Sequence, residues 1–270
     1  MAESAANLFT DGAAYERHMG RWSAVAGDIF LDWLGLPPGL RWLDVGCGNG
    51  AFTERLIARC APAEVEGVDP SEGQLAYART RPGTRSARFQ QSDAQALPFA
   101  DAAFDAVVMA LVISFVADPA KAAAEMARVV RPGGWVATYM WDIPGGGLPL
   151  QPIYTALAAM EIPSKLPPRS DASRADRMRL LWTGTGLEAV EVRAIEIQIS
   201  FADFADFWDS NAVTAGPVGR QLQLLPRDHV ERLKALLRDA LPTDAQGRIS
   251  FPARANAVKG RRAAADGVRT

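Results

Sequence analysis

The sequence predicts an α/β fold built on a doubly wound, mostly parallel sheet, and three observations support this prediction. The first half of the chain alternates short strands with helices. Those strands are apolar throughout rather than at every second residue, as expected where helices cover both faces of a sheet. A glycine-rich turn at 46–50 follows the first strand, where sheets of this kind bind ligands.

Alternating strands and helices account for most of residues 41–140. The turn and cap signals are clear: Pro70 can occupy a first helical position, Asp118-Pro119 reads as an N-cap followed by proline, and Pro132-Gly133-Gly134 predicts a turn. Right-handed crossovers between successive strands would produce the doubly wound arrangement. The predicted strands are 41–45, 64–68, 87–90, 104–110 and 135–140, and the predicted helices are 52–60, 72–80 and 120–130.

The second half has a different pattern. Apolar residues alternate along 188–200, which predicts a long strand, and 249–259 is a candidate closing strand. Helices are expected over 153–160, 174–183, 201–209 and 229–240. Two late strands separated by helices indicate a hairpin-like edge that carries a helical insert.

Composition narrows the possible functions. The net charge of −2 shows no excess of basic residues, such as nucleic-acid binding requires. The longest uncharged apolar run, 106–117, is too short to cross a bilayer. Two cysteines, Cys47 and Cys60, are too few for a disulfide framework or a zinc site. We therefore expect no metal, no membrane and no nucleic-acid partner, and a reducing, cytoplasmic setting, in a chain whose excess of Arg over Lys suggests a bacterial source.

Three acids fall at the predicted carboxyl ends of neighbouring strands: Asp44, Asp69 and Asp93. An acid at the end of the second strand can accept both ribose hydroxyls of a nucleoside. An acid at the end of the third strand can accept the amine of adenine, and Asp44 can face an ammonium group. Together they fit an adenosine that carries an amino-acid tail and a cationic sulfur. Each acid alone could equally be a helix cap or a turn former.

The glycine pattern by itself is also compatible with a dinucleotide-binding site. Gly46-x-Gly48-x-x-Ala51 satisfies the dinucleotide fingerprint, with Asp69 at about the expected distance beyond it. No tyrosine has a lysine four residues later, so one common dehydrogenase apparatus is absent.

Several blocks in order resemble the class I S-adenosyl-L-methionine (SAM) methyltransferases, especially the group of ubiquinone and menaquinone biosynthesis enzymes. Leu43 to Gly50 is similar to that family's first motif, and Gly67 to Ser71 to its ribose-binding turn. Ser92 to Phe99 is similar to its adenine-binding loop, and Phe104 to Val108 and Arg131 to Gly134 complete the set. The resemblance covers about 15–141. It implies a Rossmann-like, seven-stranded, mostly parallel sheet with a helical substrate-side insert and an antiparallel last strand.

The resemblance also implies which residues contact the cofactor. The glycine turn would line the methionine end of SAM, Asp69 would hold the ribose, and Asp93 with Ala94 would read the adenine. Tyr15, Arg21 and Trp22 resemble a lid segment. The complete set of candidate cofactor-binding residues is Tyr15, Arg21, Trp22, Asp44, Gly46, Cys47, Gly48, Asp69, Pro70, Gln74, Asp93, Ala94 and Ala110.

Many relatives carry a histidine just after the fourth strand, whereas this chain has Leu111 to Phe115 there, so a base from that position is absent. Alignment of the acceptor and exclusion of water are then expected to carry methyl transfer. His18, Tyr139 and Asp142 are the candidates for an assisting base.

These patterns predict lid helices over 1–35, a SAM-binding core over 36–142, a substrate-side insert with closing strands over 143–260, and a basic tail over 261–270. The leading hypothesis is a SAM-dependent methyltransferase, monomeric or homodimeric, that acts on the O, N or C atom of a small molecule and releases S-adenosyl-L-homocysteine. The alternatives are an NAD(P)-dependent oxidoreductase and a SAM-binding protein, such as a cyclase, that transfers no methyl group.

Overall fold

The structure is a computed structural model that describes residues 21–164, 166–212 and 216–264. Its strands are β1 (Arg41–Val45), β2 (Glu64–Asp69), β3 (Ala87–Gln91), β4 (Phe104–Ala110), β5 (Val130–Trp141), β6 (Leu187–Phe201) and β7 (Ile249–Arg262). The α-helices of the described residues are α1 (Arg21–Leu34), α2 (Ala51–Cys60), α3 (Glu72–Thr80), α4 (Pro119–Val129), α5 (Gln151–Ala159), α6 (Ala175–Gly184), α7 (Phe204–Ala212), α8 (Gly216–Leu224) and α9 (Arg227–Ala240).

All seven strands form one sheet in the order β3-β2-β1-β4-β5-β7-β6. The first five strands in this order pair in parallel, and β7 runs antiparallel to both β5 and β6. From β1 the chain steps one way to β2, and from β4 it steps the other way to β5. Right-handed crossovers therefore place the connecting helices α2 and α4 on opposite faces of the sheet. The predicted seven-stranded, doubly wound fold is confirmed.

Side-chain caps fix where two of the helices begin. Asp118 accepts hydrogen bonds from the backbone N–H groups of Ala120 and Lys121, so the predicted cap of α4 is confirmed. The start of α3 differs from the prediction. Ser71 is its N-cap and Pro70 lies before it, because Asp69 accepts from the backbone N–H of Ser71 and closes a turn there first.

The fifth strand starts earlier than its sequence suggests. Pairing with β4 begins at Phe104 opposite Val130 and then shifts to Ala106 opposite Trp135. The predicted turn at 132–134 is therefore an irregularity inside the strand, with Gly133 at φ +75°. A proline without an N–H and a left-handed glycine interrupt the ladder there without ending it.

Helix α1 contributes to the hydrophobic core. Ala26 and Phe30 are fully buried, and the Phe30 ring lies 4.7 Å from the Tyr139 ring of β5, measured between centroids. This helix lies in the segment predicted to hold the lid helices, the earlier part of which falls outside the described residues. At about 25 cal/mol per Å² of apolar surface, such burial makes α1 part of the stable fold.

The end of the chain differs from the predicted basic tail. Strand β7 continues through Arg262, so the tail prediction began two residues too early. The Arg261 guanidinium donates to the Gly133 carbonyl, and that of Arg262 donates to the carbonyls of Arg128 and Val130. These hydrogen bonds to backbone carbonyls hold the two arginines against the sheet, so the strand continues through them.

Between β6 and β7 lie three helices, α7, α8 and α9, which form the expected insert. Sequence reasoning missed α8, because it opens on Gly216-Pro217, a pair of residues that is typical of turns. Among the described residues, every helix is too short or too polar to cross a bilayer.

The close approach of β2 to β3 predicts a strong effect of one substitution. A Cβ at Gly67 would lie 2.7 Å from Phe89 ring carbons and 3.0 Å from the Cys47 sulfur. We expect Gly67→Ala to lower the free energy of unfolding by about 1–3 kcal/mol, because the core cannot absorb the added methyl group. Gly73→Ala in α3 is the matched control, since its nearest atom would lie 3.9 Å away. Urea unfolding measures both variants, and equal stability of the two would contradict the packing described here.

Candidate functional site

The order of the strands reverses between β1 and β4, and the candidate site lies at this point. In an open α/β sheet, the crevice outside the carboxyl ends of two such strands is where ligands bind. The turn 46–50 leaves β1 there, and the segment 111–118 leaves β4 there. The two segments touch, because a Cβ at Gly46 would lie 2.6 Å from a Val112 methyl group.

Backbone hydrogen bonds fix the glycine turn against β2. The N–H groups of Gly46 and Cys47 both donate to the Val68 carbonyl, at 2.7 and 2.9 Å. Gly46 adopts φ +76° and Gly48 φ +52°, conformations that favour glycine. The surroundings of the two glycines differ. Gly46 is covered by Val112, whereas a Cβ at Gly48 would meet nothing within 4 Å, so only Gly48 offers space for a ligand.

Asp44 is the most unusual acid of the site. Its side chain is fully buried in β1, and its Oδ2 accepts a 2.6 Å hydrogen bond from the Thr53 hydroxyl. Its Oδ1 is also buried and has no hydrogen-bond partner in the part of the chain that the structure describes. Burial raises the pKa of Asp44 from its ordinary 3.8 to about 7, the Thr53 hydroxyl lowers it in part, and the charge of Asp69 raises it further.

Asp69 ends β2 directly beside the glycine turn. One carboxylate oxygen accepts from the N–H of Gly48 at 3.0 Å and the other from the N–H of Ser71 at 2.8 Å. Burial raises its pKa, and these two hydrogen bonds lower it in part. A carboxylate has about four acceptor positions, so Asp69 can hold the turn and still accept two hydroxyl groups.

Cys47, Pro70 and Gln74 lie near these acids in the sequence and contribute uncharged side chains to the site. Burial raises the pKa of the Cys47 thiol well above its ordinary value, and the charges of Asp44 and Asp69 raise it further. Cys47 is therefore a thiol that packs in the turn and not a nucleophile. Pro70, which follows Asp69 in the chain, is exposed, and Gln74 is buried in the first turn of α3.

The third acid lies in an exposed loop after β3. Asp93 accepts from the backbone N–H of Gln95 at 2.9 Å and from its side-chain amide at 3.0 Å. The side-chain oxygen of Gln95 accepts a hydrogen bond from the backbone N–H of Asp118, which ties this loop to the start of α4. Ala94 is buried, so the loop presents the Asp93 carboxylate to solvent and its alanine to the core.

The candidate bases occupy constrained positions. Tyr139 is buried between the rings of Phe30 and Phe52. Asp142 follows β5, forms an ion pair with Arg254 of β7 and accepts from the N–H of Gly145 at 3.1 Å. Packing restricts the Tyr139 hydroxyl, and an ion pair occupies the Asp142 carboxylate. His18 lies outside the described residues.

The remaining candidates are dispersed. Tyr15 lies outside the described residues, and Arg21 begins α1. The Trp22 ring packs edge-on against Phe201 at 5.9 Å, at the start of the helical insert. Ala110 ends β4 at the crevice, opposite Tyr139. The structure thus brings Asp44, the glycine turn, Asp69 and Ala110 to one edge, and places Trp22 against the insert.

Sequence reasoning missed two residues that shape this site. Thr53 supplies the hydrogen bond to Asp44, and Val112 fills the space over Gly46. Motifs gave no signal for these two residues, because each acts through a partner distant in sequence. The backbone of Leu111, which the resemblance placed near the methionine side of the cofactor, adopts φ +61°, a strained conformation for a branched residue, and its N–H donates to the Tyr139 carbonyl at 2.8 Å.

Residues 43–138 match the family described as a methyltransferase domain. The demethylmenaquinone methyltransferase of Renibacterium salmoninarum is 37% identical over 136 residues, which are 50% of this chain and 55% of that protein. The malonyl-[acyl-carrier protein] O-methyltransferase of Methylococcus capsulatus is 38% identical over 135 residues, 49% of this chain and 47% of that protein. The chain spans about half the length of the curated relatives that it matches.

The crystal structure of the YcgJ protein from Bacillus subtilis has the same fold. It superposes with a TM-score of 0.60 at 20% identity and covers 89% of this chain and 99% of its own. A match over 89% of the chain extends beyond residues 43–138, which supports the architecture described above.

The raised pKa of Asp44 predicts how the stability of the protein depends on pH. The native state holds a proton on this carboxyl up to about pH 7, whereas the unfolded chain loses it near 3.8. The stability that Asp44 contributes is therefore complete below about pH 4 and is lost as the pH rises to about 7. Relative to the parent, Asp44→Asn should gain on the order of 2–3 kcal/mol between pH 5 and pH 8.

Urea unfolding of both proteins at the two pH values measures this gain. Asp239→Asn on the exposed side of α9 is the control and should show no such change. A difference between Asp44→Asn and the parent that stays constant with pH would show that the carboxyl is ionised in the native state throughout.

Proposed function

We propose that this chain, a member of the class I SAM-dependent methyltransferase family through its residues 43–138, transfers a methyl group from SAM to a small molecule. One observation of the structure carries the proposal. A buried carboxylate oxygen of Asp44 without a partner among the described residues lies next to a glycine turn that has open space at Gly48. An unpaired buried carboxylate costs free energy that a cationic ligand group recovers.

The residues at the carboxyl edge fit SAM group by group. Asp44 would face the ammonium of the amino-acid tail, and the open side of Gly48 would admit that tail. Asp69 would accept the ribose hydroxyls, with Pro70 beside the adenine and Gln74 behind it. Asp93 and Ala94 would read the adenine amine. When bound, SAM supplies a methyl group already activated on a sulfonium.

The chain's own task is then to align the acceptor and exclude water. Tyr139 is buried among aromatic rings, and Asp142 is held by Arg254 and Gly145. Because both are committed to packing or pairing, we propose that alignment and desolvation supply most of the rate enhancement. A proton acceptor is required only if the substrate holds its proton tightly, and then Asp142 or His18 is the candidate.

The aromatic edge of the insert supports our proposal of an apolar or mixed small molecule as the acceptor. Phe201, Phe207 and Phe251 pack in the core where the insert meets the sheet, and Phe204 lies half-buried against them. Trp22 of α1 reaches this cluster. The balanced charge of the chain gives no support for a nucleic-acid acceptor. The two free cysteines fit our proposal of a cytoplasmic setting.

Calorimetric titration with S-adenosyl-L-homocysteine, NAD and NADP tests the cofactor. We expect micromolar binding of S-adenosyl-L-homocysteine and none of either dinucleotide. The affinity should increase between pH 6 and pH 8, because Asp44 loses its proton in that range and gains an attraction for the ligand ammonium. Dinucleotide binding alone would establish the oxidoreductase alternative that the Gly46-x-Gly48-x-x-Ala51 pattern left open.

Transfer of a labelled methyl group from SAM to quinol, phenol, carboxylate and amine acceptors tests the reaction itself. Methylation of one acceptor class would establish the enzyme and its chemistry. Tight binding of S-adenosyl-L-homocysteine without transfer to any of them would favour the alternative of a SAM-binding protein that does not methylate.

Removal of the Asp69 carboxylate should weaken cofactor binding. We expect Asp69→Ala to lose about 1–3 kcal/mol of S-adenosyl-L-homocysteine affinity, because charge-assisted hydrogen bonds to the ribose disappear and the turn loses its tie at Gly48. Asp239→Ala, an exposed acid on α9, is the control and should bind like the parent. Unchanged affinity of Asp69→Ala would show that the ribose lies elsewhere.

A further inference from the structure

A groove on the surface between α4 and α6 lies beside the site described above and shares with it only Ala117 and Asp118, at the end of the 111–118 segment. Its volume is about 600 Å³, and a second depression of about 430 Å³ continues it along α4, past the end of α6, to Arg262 of β7. The groove exists because the facing positions of the helices are small. Ala120 and Ala124 of α4 and Gly184 of α6 form its floor, where larger side chains would have closed the gap between the helices.

An exposed leucine stands at the edge of this groove. Leu180 of α6 is 59% exposed although it lies beside the apolar floor, and Leu181 next to it is only half-buried. One surface thus carries both a large apolar side chain and a cavity lined by small ones. In a two-fold symmetric pair, residue i contacts residue j and j contacts i, so such a surface can be complementary to itself.

The charges around the groove are also self-complementary. Two arginines, Arg169 and Arg177, and two aspartates, Asp118 and Asp171, lie on its rim, and all four are exposed. A rim of one sign would repel a second copy of itself. A rim with equal numbers of both signs allows each copy to place arginines near the aspartates of the other.

The same features disfavour other occupants. A small-molecule site gathers buried polar groups that fix the ligand, whereas every polar side chain along this groove is exposed or half-buried. A nucleic acid or an anionic membrane surface would require an excess of available basic residues. The main groove has equal numbers of both signs, and the two arginines of the second depression are already bound: Arg128 pairs with Glu125 and Asp101, and Arg262 donates to backbone carbonyls.

We propose that the α4–α6 groove is a homodimer interface, in which Leu180 of each copy inserts between Ala120 and Ala124 of the other. The interface has a small apolar centre surrounded by a charged rim, which is the usual arrangement of a specific protein contact. Leu180, Ala120 and Ala124 lie outside the cofactor site, so the proposal stands independently of the methyltransferase assignment.

Sedimentation equilibrium of the purified chain at micromolar concentrations tests the proposal. The parent should have twice the mass of the 29.0 kDa chain. Leu180→Arg should raise the dimer dissociation constant by roughly 30-fold or more, because it removes the central apolar anchor and places a charge in the apolar groove. Leu224→Arg on α8 is the matched control, since Leu224 is 86% exposed away from the groove, and it should dimerise like the parent.

Ala124→Arg places a charged side chain in the floor of the groove and should also dissociate the dimer. It provides a second reading if Leu180→Arg is poorly folded, which the unfolding temperature of each variant shows. A parent that stays monomeric overturns the proposal. A dimer that survives both groove variants, or one that Leu224→Arg weakens equally, overturns the assignment of the interface to this groove.

Discussion

The contact between Val112 and Gly46 is the constraint on which the rest of the site depends. It joins the segments that leave β1 and β4, the two strands between which the order of the sheet reverses. A side chain at position 46 would separate these segments, because its Cβ would overlap the valine methyl groups. With the turn fixed this way and tied to Val68, Gly48 is left facing open space. The position of the crevice thus follows from a packing contact as much as from the topology.

The electrostatics of the site depend on this packing. Asp44 is buried because β1 is central in the sheet, and among the described residues only one of its two carboxylate oxygens has a partner, the Thr53 hydroxyl. The protein therefore carries a destabilising group at the point where a ligand cation would offset it, a common property of binding sites. Asp69 differs, because two backbone N–H groups already bind its carboxylate and hold it in a fixed orientation.

The second half of the chain is anchored to the core by buried polar contacts near the end of β5. Asp142 pairs with Arg254, and the Ser173 hydroxyl accepts from the Ile143 N–H while the Ser173 carbonyl accepts from the Asn256 amide. These contacts join β5, β7 and the segment before α6. The insert that carries the aromatic cluster therefore extends from a sheet edge that these contacts hold in place.

The sequence by itself determined the strand–helix alternation of residues 41–141, the glycine turn, and the three acids at the strand ends, because local periodicity and turn chemistry specify these features. The alternation along β6 also indicated a long late strand, and the family resemblance implied that the last strand is antiparallel. Only the tertiary structure decided that Gly46 is a packing glycine while Gly48 is open, and that Asp142 is held in an ion pair. It alone placed Thr53 on Asp44 and left an exposed Leu180 beside a floor of small residues. The Gly46–Val112, Thr53–Asp44 and Asp142–Arg254 contacts join residues between 9 and 112 positions apart in the chain, and such contacts leave no periodic signal in the sequence.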